Sequence, residues 1–134
     1  MTDRELLELA SQAREHAYAP YSHFRVGAAL LCKDGTVYQG CNIENASFGA
    51  TNCAERTAIF RAVYDGQREF SALAIVGARE GEPEMFCYPC GICRQVLSEF
   101  CPEDMRLVFR DSSGSIEHHT LGELFPKGFG GENL

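Results

Sequence analysis

Two cysteine stretches, Cys53-Ala54-Glu55 and Pro89-Cys90-Gly91-Ile92-Cys93, decide how this chain reads. A zinc ion prefers thiolate or imidazole ligands in tetrahedral array, and a catalytic zinc keeps three protein ligands with a fourth position for water. Cys53, Cys90 and Cys93 supply three sulfurs. Residues three apart in the first turn of a helix stand on one face, so Cys90 and Cys93 can converge on one ion, and Pro89 suits a helix start. The run Glu55-Arg56-Thr57-Ala58-Ile59-Phe60-Arg61-Ala62-Val63 combines good helix formers with apolar positions at Ala58, Ile59 and Ala62, which predicts a helix opening at Cys53. Helix N-termini lower the pKa of a thiol and favour the thiolate that binds metal. Two helix starts are therefore expected to meet at one cation.

Glu55 moves the reading from structure toward chemistry. Beside thiolates that are already negative, a carboxylate is better placed to exchange protons than to ligate. Zinc lowers the pKa of water it binds from about 15.7 to about 7, and a nearby Glu can accept that proton and redeliver it. Three thiolates on a divalent ion leave one net negative charge, which Arg56, and Arg94 beside Cys93, could offset by hydrogen-bonding to the sulfurs. Cys87 is a rival ligand. With Cys53, Cys90 and Cys93 it would close a four-sulfur structural site that has no position for water. The Pro-Cys-x-x-Cys pattern favours Cys90 and Cys93, since Cys87 falls in a loop. A cysteine-nucleophile hydrolase is disfavoured, because no histidine is set to activate these thiols.

The remaining sequence bounds what such a site can serve. At 134 residues the chain is expected to form one domain, 1–134, around one core. Its 45% hydrophobic and 23% charged content is ordinary for a soluble globular protein. The polar start Met1-Thr2-Asp3-Arg4-Glu5 and the lack of a long apolar run predict no export signal and no membrane span. Seven cysteines, an odd number, then point to reduced thiols in a cytoplasm. The net charge of −7 disfavours a nucleic-acid or nucleotide ligand.

In chain order, residues 3–17 read as an amphipathic helix, with Leu6, Leu7, Leu9, Ala10 and Ala13 on its apolar side. Tyr18-Ala19-Pro20-Tyr21-Ser22 ends it. Phe24 falls in a loop or early strand, where an aromatic side chain is ordinarily core. Val26–Cys32 and Thr36–Cys41 read as a hairpin turning at Lys33-Asp34-Gly35. Asn42 and Glu44 follow the second strand, where an amide and a carboxylate can meet the vicinal hydroxyls of a neutral sugar or simply cap a turn. Phe70–Ala78 and Met105–Arg110 read as strands around a helix, Arg94–Phe100. Ile116–Thr120 reads as an edge strand whose His118 and His119 point to opposite faces, and Leu121–Phe125 as a short helix. This order predicts an α/β sandwich with a mixed five-stranded sheet and a parallel crossover from Phe70 to Arg110.

These pieces resemble the small zinc-dependent cytidine deaminases that act on free nucleosides. The resemblance covers nearly the whole chain, through Tyr18-Ala19-Pro20-Tyr21-Ser22-His23-Phe24, Val26-Gly27-Ala28-Ala29-Leu30, Asn42-Ile43-Glu44-Asn45-Ala46 and the two cysteine stretches. It implies a three-layer cytidine deaminase-like fold, one Zn2+ per subunit on Cys53, Cys90 and Cys93, and Glu55 as proton shuttle. It also implies that Asn42 and Glu44 hold the ribose, that Phe24 flanks the pyrimidine, and that Ala54 contacts substrate. Phe129 matches a phenylalanine that reaches the base from a neighbouring subunit, which implies a homotetramer with shared active sites. The chain departs from the family's pattern at Phe48, where a tyrosine is common, and at Cys87-Tyr88, where a serine usually precedes the proline. An antibiotic-type deaminase and an editing enzyme acting on RNA or DNA are the neighbouring activities, and the Asn42 and Glu44 pair favours a nucleoside.

Overall fold

A computed structural model describes residues 1–134 throughout. Helix α1 (Asp3–Arg14) starts in a reciprocal cap: Thr2 Oγ1 accepts from the Glu5 amide at 3.1 Å while Glu5 Oε1 accepts from the Thr2 amide at 3.3 Å. Its apolar stripe, Leu6, Leu7, Ala10 and Ala13, is buried. The helix ends three residues before the sequence expectation, because Tyr18 is drawn into extended pairing. The Tyr18 amide donates to the Asn42 carbonyl at 3.0 Å, and its own carbonyl accepts from Glu44 at 2.9 Å.

Strands β1 (Phe24–Cys32) and β2 (Val37–Cys41) form the expected hairpin. Gly35 takes φ +91°, a conformation natural to glycine, and Asp34 Oδ1 caps the Thr36 amide at 2.9 Å. Helix α2 (Ala54–Tyr64), strand β3 (Phe70–Arg79), helix α3 (Gly91–Phe100), strands β4 (Arg106–Arg110) and β5 (Ile116–Thr120) and helix α4 (Leu121–Leu124) complete the order. The sheet runs β2-β1-β3-β4-β5, with β3 and β4 parallel across α3 and every other pair antiparallel. This is the mixed five-stranded sheet read from the sequence.

Side chains alternate across the sheet, and each face has its own helices. Ala29, Ala72, Ala74, Val76 and Val108 pack with α1. Ala28, Leu30, Leu73, Ile75, Leu107 and Phe109 pack on the opposite face with Ala58 and Ile59 of α2 and Leu97 of α3. Three layers result, with both cysteine-bearing helices on one side. His118 and His119 do face opposite ways: His118 Nε2 lies 2.6 Å from Asp3 Oδ2 of α1, while the His119 ring packs on Phe109. No helix is long and apolar enough to cross a membrane.

Two glycines set how closely the helices approach. A Cβ at Gly27 would lie 1.9 Å from the Ala10 carbonyl oxygen of α1. On the other face, a Cβ at Gly40 would lie 2.4 Å from the Ala54 carbonyl oxygen and 2.5 Å from the Ala58 amide nitrogen, both in α2. Gly40 thereby lets the head of α2, and Cys53 with it, rest directly on β2. Gly40→Ala is expected to lose about 1–3 kcal/mol of stability by overpacking in urea unfolding. Gly49→Ala, which would meet nothing within 4 Å, is expected to stay within about 0.5 kcal/mol. Equal stability of the two variants would contradict the close-approach account.

Candidate metal centre and active site

The N-cap position of α2 is Cys53, and that of α3 is Cys90, with Cys93 at the third residue of the helix. Pro89 therefore precedes the cap instead of occupying the first helical turn, and α3 begins before Arg94. Neither N-cap thiol hydrogen-bonds its own helix, as a serine or aspartate there would. Both sulfurs instead face one another across the gap between the two helix starts. The Sγ atoms of Cys53 and Cys90 are 3.8 Å apart, and all three sulfurs lie within 4.8 Å of one another. Tetrahedral zinc–sulfur bonds of about 2.3 Å place two sulfurs about 3.8 Å apart, so the spacing fits one zinc ion with little adjustment. Zinc fits the three-thiol set as one ion per chain.

Charge around the sulfurs is also compensated. Arg56 Nη2 donates to Cys53 Sγ at 3.2 Å and reaches the Thr51 carbonyl at 3.4 Å, while its Nε is buried with no hydrogen-bond partner. An arginine carrying that cost is intelligible beside anionic sulfurs. Hydrogen bonding from Cys93 outweighs burial and, with Arg56, brings the Cys53 thiol down to about 5. The same contact, followed by burial, pushes Cys93 up. One proton shared by two thiols is what a divalent cation displaces. Arg94 does not assist, contrary to the sequence expectation. Its Nε donates to the Pro89 carbonyl at 2.7 Å and its Nη1 to the Leu124 carbonyl at 2.6 Å, which fixes the entry into α3 from behind.

Cys87, the rival ligand, lies outside the cluster. It packs against the core and over Gly77, and burial pushes its thiol up to about 12, so it stays protonated. Glu55, in the first turn of α2, is 5% exposed. Burial, reinforced by the charge at Cys53, raises its carboxyl to about 7.

The sugar-facing expectations fall differently. Asn42 is nearly buried, and its amide spans two residues of β1: Oδ1 accepts from the Val26 amide at 2.9 Å and Nδ2 donates to the Phe24 carbonyl at 2.8 Å. Glu44 Oε1 accepts from the Tyr21 and Ser22 amides at 3.0 and 3.1 Å, and Ser22 Oγ donates to Oε2. Partial desolvation works against ionisation, but these donors prevail and hold the Glu44 carboxyl below its ordinary range. Glu44 borders a cavity of about 350 Å³ shared with Tyr21, Ser22, Asn45, Phe48 and Thr51. Thr51 joins this cavity to the sulfurs through Arg56. Phe48 is 78% exposed at its mouth, edge-on to Tyr21 at 6.3 Å. Ser22 and Thr51 were not singled out from the sequence, though Ser22 stands inside the Tyr18–Phe24 segment.

Phe24 opens β1 with its ring toward Gly77 and Cys87. Ala54 is fully buried at the head of α2. Phe129 lies on the C-terminal tail, more than half exposed, its carbonyl accepting from Gln95 Nε2 of α3 at 2.9 Å. The structure thus brings together Cys53, Cys90, Cys93, Glu55 and Arg56, places Phe24, Asn42 and Glu44 in one adjoining hydrogen-bonded group, and leaves Phe129 on the surface.

A three-layer α/β fold carrying three sulfurs on two helix starts, with a buried glutamate next to one of them, defines a zinc-binding deaminase. The chain belongs to the cytidine deaminase family. Residues 1–109 match the cytidine and deoxycytidylate deaminase zinc-binding region. The chain is 51% identical over 134 residues to a cytidine deaminase of Sporosarcina psychrophila, covering 100% of this chain and 96% of that protein. It is 50% identical over 133 residues to a cytidine deaminase of Halalkalibacterium halodurans, covering 98% of each. The crystal structure of a cytidine deaminase from Burkholderia pseudomallei superposes with a TM-score of 0.88 at 48% identity, covering 96% of this chain and 100% of that one.

Atomic absorption on purified variants checks the ligand set. Cys53→Ala and Cys90→Ala are expected to lose bound zinc, and Cys87→Ala to keep one ion per chain; zinc lost from Cys87→Ala and kept by Cys90→Ala would reassign the site. Asn42→Ala strands a β1 amide and carbonyl, and is expected to cost about 1–3 kcal/mol in unfolding experiments without ligand. A change within about 0.5 kcal/mol would show that Asn42 does not brace β1.

Proposed function

We propose that this protein hydrolyses the exocyclic C–N bond of cytidine and deoxycytidine, giving uridine or deoxyuridine and ammonia. The observation that carries the reading is the buried Glu55 carboxyl, two residues beyond Cys53 of a three-thiol zinc set that leaves a fourth position for water. When bound, zinc supplies the Lewis acid that makes water a nucleophile near neutral pH.

Glu55 carries the protons. It takes one from the attacking water and gives it to N3 of the cytosine ring, which makes C4 more electrophilic. It then moves the proton of the new hydroxyl to the departing amino group, so that water adds and ammonia leaves with no net change at the carboxyl. Burial keeps this carboxyl from exchanging protons with bulk solvent. Cys53, Cys90 and Cys93 hold the metal, and Arg56 balances their charge. Phe24 flanks the pyrimidine, Ala54 at the head of α2 contributes to substrate binding, and Asn42 and Glu44 hold the ribose.

The nucleoside assignment is supported by the acidic net charge of −7 and by a carboxylate, in place of a cation, at the cavity where the sugar would lie. A phosphate there would meet Glu44. The single domain 1–134 works as a homotetramer in which Phe129, exposed on the tail, completes a neighbour's site. We place it in the cytoplasm, where reduced thiols persist and where it serves pyrimidine salvage.

Glu55→Gln is expected to retain one zinc per chain and lose about 10²- to 10⁴-fold in kcat, followed by the ultraviolet change as cytidine becomes uridine. An active, zinc-loaded Glu55→Gln protein would remove Glu55 from the proton path. Turnover of cytidine is expected to exceed that of its monophosphate and of a short cytosine-containing oligonucleotide, and preference for either phosphorylated compound would overturn the substrate assignment.

A further inference from the structure

Phe24 is held at both ends of its backbone, at the carbonyl by Asn42 and at the amide by Ser22, which is itself bonded to Glu44. Its carbonyl accepts from Asn42 Nδ2 at 2.8 Å. Its amide donates to Ser22 Oγ at 3.0 Å, and the same hydroxyl gives its proton to Glu44 Oε2. Between Ser22 and Phe24, His23 takes φ +57°, a left-handed conformation that a non-glycine residue holds only when its surroundings impose it. The His23 amide donates to the Ala19 carbonyl at 3.0 Å, and its carbonyl accepts from Glu80 at 2.9 Å, which fixes the bend on both sides.

We propose that Ser22 is a positioning residue that couples sugar recognition to base stacking. It rests on the assignment of Glu44 to the ribose and Phe24 to the pyrimidine. A hydroxyl has one proton and two lone pairs, so Ser22 can serve Glu44 as donor and Phe24 as acceptor at once. An alanine there severs both. The charge on Glu44 strengthens the Ser22 bond and so polarises the hydroxyl toward the Phe24 amide. The backbone from which the ring projects is then held in place only while Glu44 keeps the orientation that meets the ribose. A nucleoside that binds Glu44 finds the stacking surface already in place.

The test is a double-mutant cycle on KM and kcat for cytidine, with zinc content and melting temperature measured on each protein. Ser22→Ala is expected to raise KM about tenfold, the weight of one hydrogen bond to a charged group, with kcat within about twofold and zinc at one per chain. Ser22→Thr, which keeps the hydroxyl, is expected to return KM to within about threefold of the parent. In a Phe24→Ala background, Ser22→Ala should add no more than about twofold, because the ring it positions is gone. Unchanged KM in Ser22→Ala, or the same increase in both backgrounds, overturns the coupling. If Phe24→Ala alone leaves KM unchanged, the stacking assignment fails and takes the proposal with it. Should the alanine variant fail to fold with zinc, Ser22→Cys, of similar size but with a weak donor, is read by the same criteria.

Discussion

Three sulfurs must sit within bonding reach of one cation while their negative charge is kept from tearing the site apart, and the architecture follows from that constraint. Helix N-termini are among the few backbone features that favour a thiolate without adding another side chain. The fold brings two of them together by packing α2 and α3 on the same face of the sheet. Both first ligands then take N-cap positions without capping, so each thiol is free to turn toward the metal. Arg56 supplies the cation that the sulfurs lack, and it can do so because the chain returns to Thr51 just before α2. Gly40 supplies the closeness, since a side chain at this position of β2 would lift the head of α2 from the sheet.

The substrate side is built on a different principle. Asn42 and Glu44 leave the end of β2 and fasten the Tyr18–Phe24 segment, so the residues assigned to the sugar also give the segment its shape. Polar side chains that each bond two residues between Tyr21 and Val26 hold that geometry more firmly than a flexible loop could. Between the two sides stands Thr51, touching the cavity at one end and Arg56 at the other. The sulfur cluster and the cavity beside Glu44 are thus linked by few intervening atoms.

Much of this was legible in the sequence because it depends on spacing. The Cys-x-x-Cys interval, the carboxylate after Cys53 and the Asp-Gly turn between the first two strands are local signals with local causes. What escaped was tertiary. The end of α1 is set by Tyr18 pairing with residues 42 and 44, which no helix propensity records. Arg94 is adjacent to Cys93 in sequence but points along α3 to two carbonyls, since adjacent helical residues do not share a face. Cys87 is chemically equal to Cys90 as a ligand; only its burial over Gly77 removes it from the metal. The double duty of Asn42, recognisable as a strand-end polar residue, required knowing that β1 would present a free amide and carbonyl opposite it.

The most direct test of the account is the X-ray absorption spectrum at the zinc edge of the purified protein. Three sulfurs on two helix starts with an open fourth position predict a first shell of three sulfur scatterers at about 2.3 Å and one oxygen at about 2.0 Å. A shell of four sulfurs would contradict it, because Cys87 would then be a ligand and no place would remain for water.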